Sequence, residues 1–320
     1  MSNKTKIWLV TAFFLVVVGC IIFVSVMSAF KWDFTKLSTL KYETNDYNIN
    51  EEYKKISIIT DTADIVFLPS ENEVTTVICR EYENVNHLVK VKDNTLVIEI
   101  VDMRKWYEHI GINFVSQKIT VYLPTDKYTS LYIKESTGDI EIPKDFKFEN
   151  VDILLSTGDV KLFASASETV KVKTSTGNIT AENISAGNLN FSTSTGKIEA
   201  LNVECQGDTN INVSTGKTVL GNVKCKNLTT KGSTGNIVLE NVIAEERFSI
   251  ERSTGDVSFD GSDASEIYVK TDTGDVVGSL LTEKVFITET DTGYVNVPKS
   301  VTGGRCEITS DTGDIKITIQ

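Results

Sequence analysis

The sequence predicts an all-β fold, a β-solenoid of ten coils of 19–20 residues with a β-rich cap module and one transmembrane helix before it. Three observations predict this fold. Ten Thr-Gly dipeptides are in register, with consecutive glycines 19 or 20 residues apart. Apolar and polar residues alternate on both sides of these glycines, and residues 7–30 are uncharged and mostly apolar.

Residues 7–30 are predicted to be an uncleaved membrane anchor, because a helix of about 20 apolar residues crosses the hydrocarbon core of a bilayer. Lys4 and Lys6 precede the segment, which favours cytoplasmic residues 1–6, a single pass through the cell membrane and an extracytoplasmic body. A cleaved signal peptide is an alternative, although its apolar stretch is usually about 7–15 residues long. Lipidation at Cys20 is another, since residues 17–20 read VVGC.

The segment between the anchor and the repeats is predicted to have two parts. Residues 31–50 show little apolar periodicity and are interpreted as a juxtamembrane stalk. Residues 51–130 contain several strand-like runs and are interpreted as a β-rich N-terminal module that caps the solenoid. Within it, ISIITDTADIVFLP resembles a degenerate first coil with Ala63 in the glycine position, and residues 103–114 are predicted to form a loop or short helix.

Residues 131–320 carry the repeats. Most residues seven and five positions before each corner glycine, and two and four positions after it, are apolar. This alternation predicts a strand, a corner and a second strand in each coil, and stacked coils would satisfy one another's backbone groups. The predicted structural corners are Gly138, Gly158, Gly177, Gly196, Gly216, Gly235, Gly255, Gly274, Gly293 and Gly313.

Turn chemistry explains the residues at each corner. Glycine adopts positive φ without a steric penalty, and a Ser or Asp two residues earlier is predicted to accept a hydrogen bond from a turn N–H. A row of asparagines recurs at the same period and is predicted to stack at an opposite corner. Its members are Asn183, Asn202, Asn222 and Asn241.

Composition excludes several classes of function. The net charge of −12 is the wrong sign for a nucleic-acid-binding surface, so nucleic acid is not an expected partner. Five cysteines are too few for a disulfide scaffold or a metal cluster. Cys205 and Cys225 are one repeat apart and are interpreted as stacked core residues, while the question of a disulfide between them stays open.

The last three corner triplets read Asp-Thr-Gly, as in the active site of aspartic proteases. Those enzymes bring two aspartates together to share one proton. Here the triplets are in register with seven Ser-Thr-Gly corners, so the sequence favours an architectural role. No catalytic residue is predicted from them.

Acidic residues at the C-terminal corners are weak candidates for cation binding. They are Asp272, Asp275, Asp291, Asp311 and Asp314. Calcium prefers six to eight oxygen ligands and one corner offers few, so a solvated acidic face is favoured. No metal site and no cofactor are predicted. The two histidines, His87 and His109, have no recognisable partner spacing for a hydrolase triad.

The tandem corners STGDI, STGDV and STGNI, with ISIITDTADIVFLPSE, KITVYLP and the N-terminal apolar segment, resemble a known bacterial family. Its members are envelope-associated β-strand repeat proteins, labelled "putative adhesin" and of unknown function. The resemblance covers roughly residues 51–320. It implies a β-solenoid in Gram-positive-type envelopes, sometimes encoded beside envelope-stress or membrane-regulatory systems, and it supplies no catalytic residues.

The favoured function is therefore a non-catalytic binding or structural module of the bacterial envelope, with an unidentified envelope component or membrane protein as partner. A regulatory ectodomain that senses envelope stress through a membrane partner is the main alternative, and a polysaccharide-active enzyme is the third. Residues 315–319, IKITI, end the chain as a strand, so self-association through a C-terminal edge strand is also expected.

Overall fold

The computed structural model describes residues 2–33, 42–103 and 117–320. The predicted stalk and the segment 103–114 lie partly outside these ranges, and His109 lies wholly outside them. Helix α1 (Asn3–Ala29) begins after Ser2, whose side chain accepts a hydrogen bond from the Thr5 N–H at 3.3 Å. In the described part of the chain, α1 is the one helix long and apolar enough to cross a membrane.

Twenty-four strands follow α1 in the described residues. Those of the N-terminal module are β1 (Tyr42–Ile49), β2 (Lys55–Ile59), β3 (Asp64–Pro69), β4 (Thr75–Tyr82), β5 (Val85–Lys92), β6 (Thr95–Asp102) and β7 (Lys118–Leu123). The next are β8 (Lys127–Thr137), β9 (Ile140–Ile142), β10 (Lys147–Thr157), β11 (Val160–Leu162), β12 (Ser165–Thr176), β13 (Ile179–Thr195), β14 (Ile198–Cys205) and β15 (Asp208–Thr215). The last are β16 (Thr218–Thr234), β17 (Ile237–Glu240), β18 (Ile243–Thr254), β19 (Val257–Thr273), β20 (Val276–Leu280), β21 (Lys284–Thr292), β22 (Val295–Asn296), β23 (Gly304–Thr312) and β24 (Ile315–Ile319).

Successive coils pair in parallel along three stretches, which confirms the predicted β-solenoid. In the middle of the stack, residues 179–182 pair with 198–201, 184–186 with 203–205, and 189–193 with 209–213. The four predicted apolar positions point inward and are buried through most of the stack. The core is therefore a set of continuous side-chain ladders that run along the rod.

The N-terminal module continues the same sheets and then covers them. Strand β2 lies between β6 and β8, and β3 lies between β7 and β9, all in parallel. Ala63 occupies the glycine position of a first coil, because its N–H donates to the Thr137 carbonyl as Gly138 donates to Thr157. Antiparallel pairs of β4 with β1 and β7, and of β5 with β6, close this end.

The last two coils do not stack in the order of the sequence. Strand β23 pairs with β19 on one side and β21 on the other, so the final coil lies between its two predecessors. The predicted open edge at residues 315–319 is covered on its outer side at only two of its five residues. Strand β24 pairs with β20 over all five residues and with β22 at Ile315 and Lys316, and the outermost strands are β21 and β22.

A buried ion pair joins the outermost coil to the rest of the stack. The Lys284 Nζ lies 2.6 Å from the Asp263 carboxylate, and the two side chains are 3% and 9% exposed. Gly304 lies opposite Lys284 in the register and has no side chain to obstruct the lysine. The Lys284 side chain therefore reaches past the inserted coil to the coil beyond it.

Candidate functional site

The corner glycines form a single close-packed column. Nine of the ten have φ between +118° and +156°, a region that favours glycine, and Gly293 in the outermost coil is the exception. A Cβ atom built on Gly158 would lie 1.9 Å from the carbonyl oxygen of Gly138, and the other corners are similarly tight. Both conformation and close approach therefore demand glycine, which gives the Thr-Gly motif a structural reason.

The corner aspartates of the three Asp-Thr-Gly triplets lie on the surface. Asp272, Asp291 and Asp311 are exposed, and no hydrogen bond reaches their side chains within residues 117–320. The hydrogen bond expected at this position is made by the residue after the glycine instead. The Asp139 carboxylate accepts the Asp159 N–H at 2.8 Å, and that of Asp159 accepts the Asn178 N–H at 2.7 Å.

Asp275 and Asp314 belong to this second ladder. Asp275 accepts the Asp314 N–H at 2.8 Å, and Asp314 accepts the Tyr294 N–H at 2.9 Å, following the spatial order of the coils. The other oxygen of Asp314 pairs with Lys316 at 2.7 Å, and this bond lowers the pKa of the Asp314 carboxyl. One group of three metal-ligating side chains occurs among the described residues, and it contains none of the five aspartates.

The asparagine row forms a second column at another corner. All four residues are left-handed, with φ between +53° and +56°. Each amide donates to the preceding one, at 3.0 Å from Asn202 to Asn183, 2.9 Å from Asn222 to Asn202 and 3.3 Å from Asn241 to Asn222. Asparagine tolerates this conformation, so the row is explained by turn geometry.

Polar side chains also line the inside of the glycine corner. Thr193 and Ser310, each three residues before a glycine, donate to the carbonyls of Gly177 and Gly274 at 3.1 Å. Arg252 occupies this position in another coil and reaches the Val213 carbonyl at 2.8 Å. It passes Gly232, where a Cβ would lie 2.1 Å from its Nη1. These side chains link neighbouring coils by hydrogen bonds on the inner side of the corner.

Glu135 occupies the same inner position in the first regular coil. Its Oε1 accepts the Ala63 N–H at 2.9 Å, and its side chain is buried. Burial raises the pKa of Glu135 to about 8, while the bond from Ala63 opposes that rise. In the first coil, where Ala63 replaces the corner glycine, the Glu135 carboxyl accepts the N–H at that corner.

A cleft opens between the module's loops, near the start of the first coil. Its volume is about 650 Å³, and Tyr53, Lys54, Asp126 and Tyr128 are among the residues that line it. The rings of Tyr53 and Tyr128 stack with centroids 6.1 Å apart, and the Tyr53 hydroxyl bonds to Thr75. Lys54 and Asp126 pair with each other, and the Tyr128 hydroxyl donates to the Pro124 carbonyl, so these polar groups are engaged in internal bonds.

The outermost coil leaves the interior ladders uncovered. Strand β21 pairs on one side with β23 and has no paired strand on the other within the described residues. Its inward residues Phe286 and Thr288 are only partly buried, and Val295 of β22 is 38% exposed. Tyr294 and Val301 are more exposed still. This end of the rod combines free backbone groups with apolar side chains.

The module encloses a buried polar cluster that sequence analysis missed. The His87 Nδ1 lies 2.6 Å from the Glu81 Oε2, and the His87 Nε2 lies 2.8 Å from the Thr60 Oγ1. Asn45 donates to the other Glu81 oxygen at 2.7 Å. Cys79 is also within reach, and burial followed by the charge of Glu81 raises its pKa to about 12. The sequence signal for this cluster was the position of Cys79 and Glu81, two residues apart and so on one face of a strand.

Comparison with family models identifies the family of this chain. The chain matches the model of a family described as Toastrack DUF4097 over residues 53–216 and 199–320. No curated protein gives a significant match. One similar solved structure is a "putative lipid binding protein" from Parabacteroides distasonis, 17% identical, with a TM-score of 0.48, covering 75% of this chain and 95% of that one.

Two further solved structures are each described as a "putative adhesin". The one from Bacteroides fragilis is 21% identical, with a TM-score of 0.36, and covers 87% of this chain and 97% of that one. The one from Parabacteroides merdae is 16% identical, with a TM-score of 0.43, and covers 74% of this chain and 96% of that one.

Proposed function

This chain belongs to the Toastrack DUF4097 family, and we propose that it is a membrane-anchored, extracytoplasmic β-solenoid that serves as a non-catalytic binding module of the bacterial envelope. Helix α1 anchors the rod, with residues 1–6 in the cytoplasm. The outermost coil, β21 and β22, is the contact surface. The observation that carries the proposal is the uncovered interior of this coil.

The two ends of the stack differ in a way that supports an anchored N-terminal end and a binding outer coil. The N-terminal module follows α1 in the chain and closes its own end with antiparallel strands. The opposite end has no such closure in the described residues, and β21 keeps an unpaired edge nine residues long. Soluble proteins usually protect edges of this kind, because free N–H and C=O groups invite another strand.

The chemistry of the edge favours a polypeptide partner. A row of alternating backbone donors and acceptors is best matched by another extended peptide backbone, which a polysaccharide lacks. The partly buried Phe286 and Thr288 leave room for apolar side chains at alternate positions of an added strand. Glu289 and Asp291 are exposed on β21, so a segment with basic residues fits the outward face.

The positions of the nucleophilic and basic side chains support a non-catalytic role. His87 is 2% exposed, and all cysteines outside α1 are buried thiols. The corner aspartates are spread along the surface in register with the coils, rather than paired across a cleft.

Replacing Ile287 of β21 with lysine tests the contact surface. We expect Ile287→Lys to weaken binding of the full chain to its partner in isolated envelope fractions by about tenfold or more, because it puts a charge on an apolar contact. Ile287 is 47% exposed, so the fold is expected to persist. The measurement is a saturation-binding assay with labelled protein, with circular dichroism as the folding check.

Thr229→Lys is the matched control, since Thr229 stands at the same position, six residues before its corner glycine, in a middle coil. Its binding is expected to stay within about twofold of the natural protein. Equal loss of binding in both variants would contradict the assignment of the outermost coil as the contact surface. Unchanged binding in both, with an altered envelope-stress response on deletion of the protein, would favour the regulatory alternative.

A further inference from the structure

Three side chains with metal-ligating atoms converge inside the N-terminal module. One ligand atom from each of Cys79, Glu81 and His87 lies within 4.8 Å of the other two. All three residues are buried, and Glu81 and Cys79 have no measurable exposure. They come from two strands, β4 and β5, that are joined by a short connection after Tyr82. We propose that Cys79, Glu81 and His87 hold one divalent cation of the zinc class.

The ligand types indicate which cation fits. Thiolate, imidazole and carboxylate are the three protein ligands that zinc takes, whereas calcium and magnesium prefer oxygen alone. Cys79 and Glu81 are two residues apart on one strand, so their side chains share a face. The turn between β4 and β5, which pair at Tyr82 and Val85, then brings His87 to that face, where its backbone N–H donates to Glu81.

The surrounding hydrogen bonds match the support that metal-bound residues usually have. The Nε2 of His87 lies 2.8 Å from the Thr60 hydroxyl, which leaves Nδ1, on the Glu81 side, for the metal. Asn45 donates to Glu81 Oε1 at 2.7 Å, and Oε2 accepts the His87 backbone N–H at 2.7 Å and faces the imidazole. Tyr47 donates to the His87 carbonyl at 3.0 Å. Partners of this kind orient the ligands and keep a histidine in one tautomer.

Metal binding at this site would be linked to proton release. Cys79 binds a metal as a thiolate, so the proton of its thiol is released to solvent when the dication binds. The metal takes the place now held by the hydrogen bond between Nδ1 and Oε2. The cluster would thereby join β4 and β5 directly, and β1 and the Thr60 segment through their hydrogen bonds.

Metal titration of the full chain in detergent tests the site. After treatment with a chelator, we expect the protein to bind about one zinc ion with a dissociation constant of about 1 μM or lower, measured by calorimetry. Cobalt is expected to bind in its place and give the absorption band of a cobalt–thiolate bond. Zinc is also expected to raise the melting temperature relative to the chelated protein, because it binds the folded state.

Cys79→Ser removes the thiolate ligand, and Cys306→Ser is the matched control because it removes another buried thiol in β23. We expect the first change to abolish the cobalt–thiolate band and to weaken zinc binding at least about 100-fold, and the second to leave both unchanged. The proposal is overturned if the natural protein binds no zinc, or if the band persists in Cys79→Ser. If Cys79→Ser does not fold, an unchanged melting temperature of the natural protein with zinc overturns it.

Discussion

Replacement of Gly216 with alanine is expected to lower the free energy of unfolding by about 3 kcal/mol or more. Gly216 has φ = +141°, and an added Cβ would lie 1.9 Å from the carbonyl oxygen of Gly196. The contact is with backbone, which cannot rotate away as a side chain could. The strand between two corners would have to shift and lose hydrogen bonds on both sides. Urea denaturation followed by circular dichroism measures the loss.

Lys217→Ala is the matched control, because Lys217 is the next residue and is exposed. Its effect is expected to stay within about 0.5 kcal/mol. The stack is a repeat array whose neighbouring coils support one another, so a defect in the middle of the rod should affect the whole transition. A Gly216→Ala protein as stable as the control would contradict the close-packed glycine column.

Replacement of Lys284 with methionine is expected to cost about 3–5 kcal/mol, because it leaves the Asp263 carboxylate buried without its cation. Asp263 keeps only neutral donors, from the Thr282 hydroxyl and the Ala264 N–H. The loss should appear mainly as local opening of the outermost coil, since Lys284 opens β21. Hydrogen exchange of the β21 amides measures that opening, and urea denaturation measures any loss in the free energy of global unfolding.

The double variant Lys284→Met with Asp263→Asn distinguishes an unpaired charge from lost packing. It is expected to recover much of the stability, because both charges are then absent. Lys171→Met provides the exposed comparison, since the Lys171–Asp152 pair at 3.2 Å is about half exposed and should cost about 1 kcal/mol or less. If Lys284→Met behaved like Lys171→Met, the ion pair would not hold the last coil.

The strand register between most successive coils could be predicted from the sequence, because only one register places all the apolar positions inward. A shift of one residue in the strand that carries Phe191 would bring the neighbouring asparagine and serine inward. The glycine spacing then fixes which residues stack, as in the pairing of Phe191 with Ile211. Ala63 could also be assigned to the glycine position, because apolar residues flank it at the same distances.

The order of the last two coils could not be predicted. Every coil presents a similar backbone edge, so the period does not say whether the coil after β20 is β21 or β23. In the structure, the coil stacked on β19 and β20 is that of β23 and β24, and Lys284 reaches Asp263 past Gly304, a contact that the period does not predict. As a result, the outermost edge lies at β21 and β22, and the predicted edge at residues 315–319 is covered by β22 only at Ile315 and Lys316.

The buried cluster was missed for a related reason. Thr60, Glu81 and His87 come from three separate segments, and the antiparallel register of the module brings them together. The repeat carries no information about that register, because the module's antiparallel strands lie outside it. The spacing of residues in the sequence therefore does not indicate a partner for His87.

Crosslinking in the native membrane tests the central claim that the uncovered outer coil binds a protein partner. A photoreactive amino acid at Tyr294, which is 68% exposed, can be compared with one at Lys217, which stands at the same position after a corner glycine in a middle coil. The account predicts a discrete protein adduct at Tyr294 that is absent at Lys217. An adduct of equal yield at both positions, or none at Tyr294 with a clear one at Lys217, would contradict it.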